Sequence, residues 1–192
     1  MVDFYCWEVY FVSIDQILDT TFVKVSEIRP KSISELFMDY LGDVIETYKY
    51  INDLESTYPN FYKWYNDKVL LELKQKPDRR EILLAVSTVK SENVEKIKRV
   101  ISGIAVLKKY EDEKKICTFR ILKDFRDTGI AYKLMDESIK FLETDYPLIT
   151  ISDNNLKSFE KLLKFYNFQQ YEKLKDYYKK GVTEYVFNGV LK

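Results

Sequence analysis

Histidine is absent from the 192 residues of this chain. The commonest general base and the commonest metal ligand are therefore missing from every mechanism that the sequence allows. This absence excludes Ser-His-Asp hydrolases and the usual zinc enzymes, and we expect no metal. Cysteine is almost as rare, because Cys6 and Cys117 stand alone and far apart. They provide neither a disulfide framework nor a Cys-x-x-Cys motif, and this usage favours a reducing cytoplasm.

Net charge and long apolar segments are also lacking. Lysine plus arginine and aspartate plus glutamate both number 31, so no overall field would attract nucleic acid or an anionic membrane. No apolar run approaches the roughly 18 residues that a bilayer-spanning helix needs. Residues 4–12 are apolar, but they lack the basic flank of a signal peptide and are predicted to form a strand. We therefore expect a soluble protein with no membrane or nucleic-acid partner.

The residues that are present have the composition of one globular domain. Hydrophobic residues make up 46% of the chain and charged residues 32%, and the chain contains 16 tyrosines and 12 phenylalanines. This balance argues against disorder. The length is sufficient for a single domain with a substantial core.

Residues 1–80 are predicted to be mostly helical after the opening strand. Ser32 and Glu35 have the spacing of a capping box. Apolar residues then recur at helical intervals, at Ile33, Leu36, Phe37, Tyr40, Leu41, Val44, Ile45 and Tyr48. This pattern predicts one long amphipathic helix. A second helix should begin near Pro59 and end before Pro77.

Residues 81–192 are predicted to contain most of the strands. The two β-rich runs at 81–86 and 100–107 should form a hairpin with a charged insertion at 90–98. The elements predicted after this hairpin are a turn at 111–115, a strand at 116–122, a helix at 130–142, a strand at 148–151, a helix at 156–166, and strands at 171–178 and 182–191. This order of strands and helices predicts an α/β (α+β) fold.

A strand, a short loop and a helix follow one another from Phe119 to Ala131, and such a junction suits an anion. The first N–H groups of a helix have no partner within the helix, and the helix dipole adds partial positive charge. Gly129 lets the main chain come close to a ligand, and the small Ala131 leaves room for it. The negative charge of Asp127 opposes tight phosphate binding.

Arg126, Gly129 and Ala131 resemble the signature of the GNAT superfamily of N-acetyltransferases. In that signature Arg or Gln, two variable residues, Gly, one variable residue and Gly or Ala wrap the pyrophosphate of CoA. The resemblance covers roughly residues 81–192. It implies a GNAT-type fold, with a mixed, mainly antiparallel central sheet flanked by helices. It also implies a single domain over 1–192, in which 1–80 form the acceptor side and 81–192 the acyl-CoA-binding core.

The resemblance implies a donor site for acetyl-CoA. The pyrophosphate would contact Arg126, Asp127, Thr128, Gly129, Ile130 and Ala131. The pantetheine arm would pair with the strand that contains Phe119 and Ile121, and Asn155 would approach the arm. Helix capping is an equally strong interpretation of Asn155. Three positions depart from the family pattern: Lys123 replaces a frequent Pro, Asn167 replaces a Gly, and Leu162 or Leu163 replaces the Tyr that often serves as general acid.

The catalytic residues implied by this resemblance are Tyr166 as a substitute acid and Glu81 as a base acting through water. Aromatic packing is the competing interpretation of Tyr166. The implied reaction transfers an acetyl or short acyl group from acyl-CoA to a primary amine of a small molecule or protein, by direct attack in a ternary complex. Two alternatives stay open: a GNAT-like module that binds acyl-CoA or a protein without turnover, and a purely structural interaction domain. A homodimer is compatible with each of them.

Overall fold

The computed structural model describes residues 16–91 and 94–191, which form a seven-stranded sheet with helices on both faces. The strands are β1 (Gln16–Lys24), β2 (Arg80–Ser91), β3 (Val94–Tyr110), β4 (Glu113–Ile121), β5 (Leu148–Ser152), β6 (Gln170–Lys175) and β7 (Thr183–Phe187). The sheet order is β1-β2-β3-β4-β5-β7-β6. Only the β4–β5 pair is parallel among these strands. The predicted mixed, mainly antiparallel sheet flanked by helices is confirmed.

Helices cover the two faces of the sheet from different parts of the chain. One face is covered by α1 (Ile33–Leu41), α2 (Val44–Thr57), α3 (Phe61–Trp64) and α4 (Leu70–Gln75), and the other by α5 (Ile130–Leu142) and α6 (Asp153–Phe165). In β2, Ile82 and Leu84 pack under the first group of helices, whereas Leu83 packs under the second. This burial on both faces explains why β2 reads as a continuous apolar run instead of an alternating one.

The predicted hairpin is present, but the predicted charged insertion at 90–98 is wrong. The β2–β3 ladder continues through the pairs Val89 with Lys98 and Lys90 with Ile97. The side chain of Ile97 is 63% exposed here. Val89 is still buried, but Lys90 and Lys98 are exposed, so the sequence loses the apolar pattern on which the prediction depended while the main-chain pairing continues.

The predicted long helix is two helices. The first ends at Gly42, which adopts a left-handed conformation with φ of 64° and donates to the carbonyl of Met38. Asp43 then caps the second helix by accepting from the amides of Ile45 and Glu46. The capping box of Ser32 and Glu35 is confirmed. Because the chain turns at Gly42, Val44, Ile45 and Tyr48 leave the buried stripe and become exposed.

The helix predicted between Pro59 and Pro77 is confirmed as α3 and α4, joined by a π-helical segment over Tyr65–Val69. The predicted turn at 111–115 is shorter, because β4 begins at Glu113. The strands predicted at 171–178 and 182–191 are also shorter, since β6 and β7 span six and five residues. The strand predicted at 4–12 lies outside the described residues.

The edge strand β1 was not predicted. Its sequence carries Asp19, Thr20 and Thr21 in a row, and most of its side chains are at least partly exposed. The hydroxyl of Thr20 lies 2.8 Å from that of Ser87 on β2. Pairing with one neighbour holds this strand, so its position depends on a partner that is 67 residues away.

Candidate functional site

A cleft opens where β4 and β5 stop pairing. The two parallel strands pair only at Lys115 with Leu148 and at Ile116 with Ile149. Beyond these pairs β4 continues to Ile121 and β5 to Ser152 without hydrogen bonds between them. The space between them belongs to a cleft of about 750 Å³. Main-chain N–H and C=O groups on the facing edges of β4 and β5 are therefore available to a ligand.

A β-bulge lies in β4 at the end of the cleft where β4 and β5 still pair, which we call the closed end. Val106 of β3 pairs with Thr118, and Leu107 pairs with Ile116, so Cys117 is the extra residue. Cys117 lines the cleft. A bulge interrupts the ladder and redirects main-chain groups out of it. Cys117 follows Ile116, which forms the last pair between β4 and β5. A ligand that lay between the two strands would therefore have its inner end beside the bulge.

The loop before α5 has the main-chain shape of an anion site. Asp127 and Gly129 both have positive φ, at 59° and 84°. The Thr128 hydroxyl donates to the carbonyl of Phe125 at 2.6 Å and holds the loop closed. The amides of residues 127–131 donate to no other group in the described part of the chain. A Cβ atom placed on Gly129 would meet nothing within 4 Å, so the helix terminus faces open space.

Seven of the nine predicted cofactor residues line this one cleft: Phe119, Ile121, Arg126, Asp127, Gly129, Ala131 and Asn155. Thr128 and Ile130 do not line it. Thr128 shapes the loop through its hydroxyl, and Ile130 is buried against Phe125 in the core. The residues are brought together by the strand order, which places α5 and α6 on either side of the β4–β5 gap.

Helix α6 forms the outer wall of the cleft. The amide nitrogen of the Asn155 side chain donates to the Ser152 hydroxyl at 2.9 Å, so Asn155 supports the start of the helix and also lines the cleft. The position of Asn155 in the cleft is compatible with the predicted contact to the cofactor. The capping interpretation is wrong, because the N-cap residue of α6 is Ser152 and the Asn155 side chain accepts from none of the helix amides that the structure describes. Leu162 lines the cleft at the helix position where an acid was expected.

The two predicted catalytic residues lie elsewhere. The Tyr166 hydroxyl donates to Asp136 at 2.6 Å and lies 2.9 Å from the carbonyl of Tyr132, both in α5. Burial, followed by the bond to Asp136, raises the pKa of this hydroxyl. Glu81 of β2 accepts from the main chain and hydroxyl of Ser26. Neither residue is among the described residues that line the cleft. Their catalytic roles stay predictions that the geometry does not favour.

The wall formed by the end of α2 was not predicted from the sequence. Asp53, Ser56, Thr57 and Tyr58 line the cleft from this side. Arg120 of β4 donates to Asp53 at 2.6 Å and lies over the ring of Tyr50, with 5.8 Å from Cζ to the ring centroid. These contacts hold α2 against β4. Because they join Arg120 to residues 67 and 70 positions away, no local pattern could have revealed them.

The connection between β6 and β7 approaches the same wall. Lys179 donates to the carbonyl of Ser56 at the end of α2, at 3.2 Å. Lys115 of β4 donates to the hydroxyl of Tyr178, also at 3.2 Å. In this way α2, β4 and the β6–β7 connection meet at the closed end of the cleft.

A buried carboxylate lies beside this end. Glu184 of β7 is 3% exposed, and its Oε2 atom has no hydrogen-bond partner among the described residues. Burial raises the pKa of Glu184, Asp153 adds to the increase, and Lys115 opposes it.

In the described part of the chain no group of three or more Cys, Asp or Glu side chains could hold a metal ion. None of the described helices has the length and apolarity to cross a bilayer.

Comparison with known proteins shows similarity of fold without similarity of sequence. No family model matches the chain, and no curated protein matches it. The chain is similar in structure to a GNAT-family protein from Desulfovibrio desulfuricans, with 9% identity over 88% of this chain and 97% of the other and a TM-score of 0.55. It is also similar to Arabidopsis thaliana NAA60, determined with acetyl-CoA, with 14% identity, the same coverage and a TM-score of 0.55.

A further similar structure is a chain of the NatC complex bound to Gag peptide and CoA, with 14% identity over 88% of this chain and 97% of the other. Its TM-score is 0.58. At such low identities the similarity concerns the arrangement of the main chain. The fold is that of the GNAT acetyltransferases.

Proposed function

We propose that this protein is an acyltransferase that transfers an acetyl or short acyl group from acyl-CoA to a primary amine. The observation that carries the proposal is the coincidence of three main-chain features in one cleft. They are the free amides of the 127–131 loop, the unpaired edges of β4 and β5, and the bulge at Cys117. The similar structures with CoA or acetyl-CoA support the choice of donor.

The pyrophosphate of the donor would bind at the start of α5. The free amides of 127–131 and the dipole of this 13-residue helix attract an anion. Arg126 and Lys161 line the cleft near the loop and add positive charge. Lys161 lies 3.8 Å from Asp127 and offsets part of its negative charge. The loop can therefore hold phosphate despite Asp127.

The pantetheine arm and the thioester would lie between β4 and β5. The edge of β4 over 117–121 is unpaired on this side and offers amide groups to the arm. At the bulge of Cys117 the main chain leaves the ladder, and its N–H groups would meet the oxyanion that forms when an amine attacks the thioester. A preorganised main-chain donor at this point needs no particular side chain.

The acceptor amine would bind at the end of the cleft formed by α2 and the β6–β7 connection. This side of the cleft carries Asp53, Tyr58 and Arg120, with Glu184 behind it, so it offers polar and charged groups to an amine. The NatC structure contains a peptide, which supports an amine of a peptide or protein as one acceptor class. We also propose a single domain in which the helices before β2 contribute one wall of the acceptor side and the later residues form the acyl-CoA-binding core.

The experiment that tests the donor site is calorimetric titration of the full chain with CoA and acetyl-CoA. Ala131→Glu places a carboxylate against the phosphate and should weaken binding by roughly 100-fold. Lys140→Glu is the matched control, because it introduces the same residue at an exposed position of the same helix. Equal binding by wild type and Ala131→Glu would contradict the site.

The experiment that tests the reaction is product detection with acetyl-CoA and a panel of polyamines, aminoglycosides and lysine peptides. Acetylated product establishes the enzyme. Binding of acetyl-CoA without product would favour the alternative, a GNAT-like module that binds acyl-CoA, which Leu162 and Asp127 in the cleft support. Absence of binding at millimolar ligand would leave only the interaction domain.

A further inference from the structure

Tyr58 and Glu184 are two polar residues near the closed end of the cleft, close enough for the charge of Glu184 to act on the Tyr58 hydroxyl. Tyr58 follows the last residue of α2, and both it and Cys117 line the cleft while packing against the same core. Glu184 in β7 pairs directly with Ser152 of β5, which also lines the cleft. Paired residues of antiparallel strands direct their side chains to the same face. Glu184 therefore lies one strand behind the cleft wall, next to Ser152.

Tyr58 is suited to give a proton. Burial raises the pKa of its hydroxyl, the charges of Glu184 and Tyr178 add to the increase, and Arg120 opposes it. The hydroxyl therefore stays protonated throughout the neutral range. It forms no hydrogen bond with any other side chain or main-chain group that the structure describes, so its proton is available to a ligand in the cleft.

Glu184 is suited to take a proton. It is almost completely buried, and one carboxylate oxygen has no partner in the described part of the molecule. Three elements present charged or titratable groups to it: Asp153 at the start of α6, Lys115 in β4, and Tyr58 after α2. The hydroxyl of Tyr178, in the β6–β7 connection, accepts a hydrogen bond from Lys115. A buried carboxylate that is only partly balanced by a cation gains from accepting a proton.

We propose that Tyr58 donates a proton to the departing CoA thiolate and that Glu184 accepts a proton from the acceptor ammonium. The proposal rests on the proposed function, because it assigns roles within that reaction. It replaces Tyr166, whose hydroxyl is bonded to α5, and Glu81, which is bonded to Ser26.

The two protons balance over the reaction. The acceptor ammonium gives one proton to Glu184, through water or the Ser152 hydroxyl, and its nitrogen lone pair then forms the C–N bond to the thioester carbon. When the C–S bond breaks, its electron pair leaves on sulfur, which takes the Tyr58 proton. The nitrogen releases its second proton, which restores Tyr58. Glu184 returns its proton to solvent, so the products are the amide, CoA thiol and one proton.

The first test of the acid is a leaving-group comparison. Tyr58→Phe should lower kcat with acetyl-CoA by about 100-fold, because a general acid contributes at least this factor. With an acetyl-CoA analogue whose thiol is more acidic, the loss should shrink, since the departing sulfur then needs less help. Tyr65→Phe is the matched control, because Tyr65 has an unpartnered hydroxyl in the core and does not line the cleft. Full kcat in Tyr58→Phe overturns the assignment.

The test of the base is a pH profile. In the wild type kcat should fall at low pH as Glu184 becomes protonated. Glu184→Gln should lose this dependence and approach the wild-type rate only at high pH, where the acceptor amine deprotonates by itself. Glu113→Gln removes a carboxylate that pairs with Lys108 outside the cleft and should keep the wild-type profile. A pH profile in Glu184→Gln that is the same as in the wild type overturns the assignment of Glu184 as the base.

A binding measurement separates this proposal from the proposed function and needs no acceptor. Tyrosine is labelled with ¹³C at Cζ and glutamate at Cδ, and the protein is titrated with acetyl-CoA. The Tyr58 signal, assigned by its loss in Tyr58→Phe, should move on binding while the Tyr65 signal stays. Glu184 should titrate above its ordinary pKa of 4.5. Absence of binding contradicts the donor site itself. Binding that leaves Tyr58 unmoved, or a Glu184 pKa at the ordinary value, overturns only the present proposal.

Discussion

Several buried side-chain polar atoms lack a hydrogen-bond partner among the described residues, and the Tyr65 hydroxyl is the clearest case. Tyr65 is fully buried in the π-helical segment, in contact with the Phe61 ring. An unsatisfied buried hydroxyl costs about 1–3 kcal/mol of desolvation, so Tyr65→Phe should raise the free energy of unfolding by about 1 kcal/mol. Urea denaturation measures this change. Tyr62→Phe, at a 44% exposed tyrosine, should change little. A loss of stability in Tyr65→Phe would show that the hydroxyl is satisfied.

Asp127 is the residue whose charge opposes the proposed donor. Its φ of 59° lies in the left-handed region, which asparagine adopts as readily as aspartate. Asp127→Asn therefore removes the charge without straining the loop, and it should strengthen CoA binding by roughly threefold at low salt. Calorimetry at rising ionic strength should abolish the difference. Asp124→Asn, in the preceding 3₁₀ turn, is the matched control. Equal affinity at low salt would place the phosphate away from Asp127.

The elements β3, β4 and α5 pack closely around Gly103, which has no side chain. A Cβ atom there would lie 2.8 Å from Cδ1 of Ile121 and 3.2 Å from the carbonyl oxygen of Arg120. Gly103→Ala should therefore destabilise the protein by about 2 kcal/mol through overpacking. Ile121→Val removes the clashing methyl group, so the double variant should recover part of the loss. Thermal unfolding of the single and double variants measures both effects, and additive losses would contradict the steric cause.

The elements also show where sequence reasoning succeeds. Helix α5 and strand β2 were predictable because their apolar residues report burial directly, on one face for the helix and on both for the strand. The break at Gly42 was missed although glycine followed by aspartate is a strong stop and start signal, because the apolar stripe continues through it. Strand β1 was missed because its apolar residues Ile17, Phe22 and Val23 do not alternate regularly with polar ones, although all three pack against the core.

The candidate site also has a part that could be predicted from the sequence and a part that could not. The loop of Arg126, Gly129 and Ala131 was predictable, since a strand-to-helix junction is a local feature and its anion-binding groups are main-chain amides. Tyr58 and Glu184 were not predictable. They lie 126 positions apart in sequence and meet only because β7 inserts between β5 and β6 and because α2 packs on β4.

At the scale of the whole molecule, the absence of histidine makes the pH dependence of stability informative. Histidine is the usual group that titrates between about pH 5 and 8, and this chain has none. In the described part of the chain, burial raises the pKa values of Glu81 and Glu184 above their ordinary value of 4.5. The lowered pKa values of Asp43 and Glu143 act at more acidic pH, and both side chains are exposed.

The sign of the effect follows from proton linkage. The unfolded chain releases the Glu184 proton at its ordinary pKa, whereas the folded chain holds it to higher pH, so the free energy of unfolding should fall as pH rises above 4.5 through the folded pKa. Glu184→Gln removes this contribution. It should match the wild type near pH 4.5 and become increasingly more stable towards pH 7, as measured by urea denaturation at each pH. Glu113→Gln instead removes the ion pair with Lys108 and should gain no stability towards pH 7. If Glu184→Gln instead loses stability relative to the wild type as pH rises, the ionised carboxylate is stabilised in the folded protein and the pKa of Glu184 lies below its ordinary value.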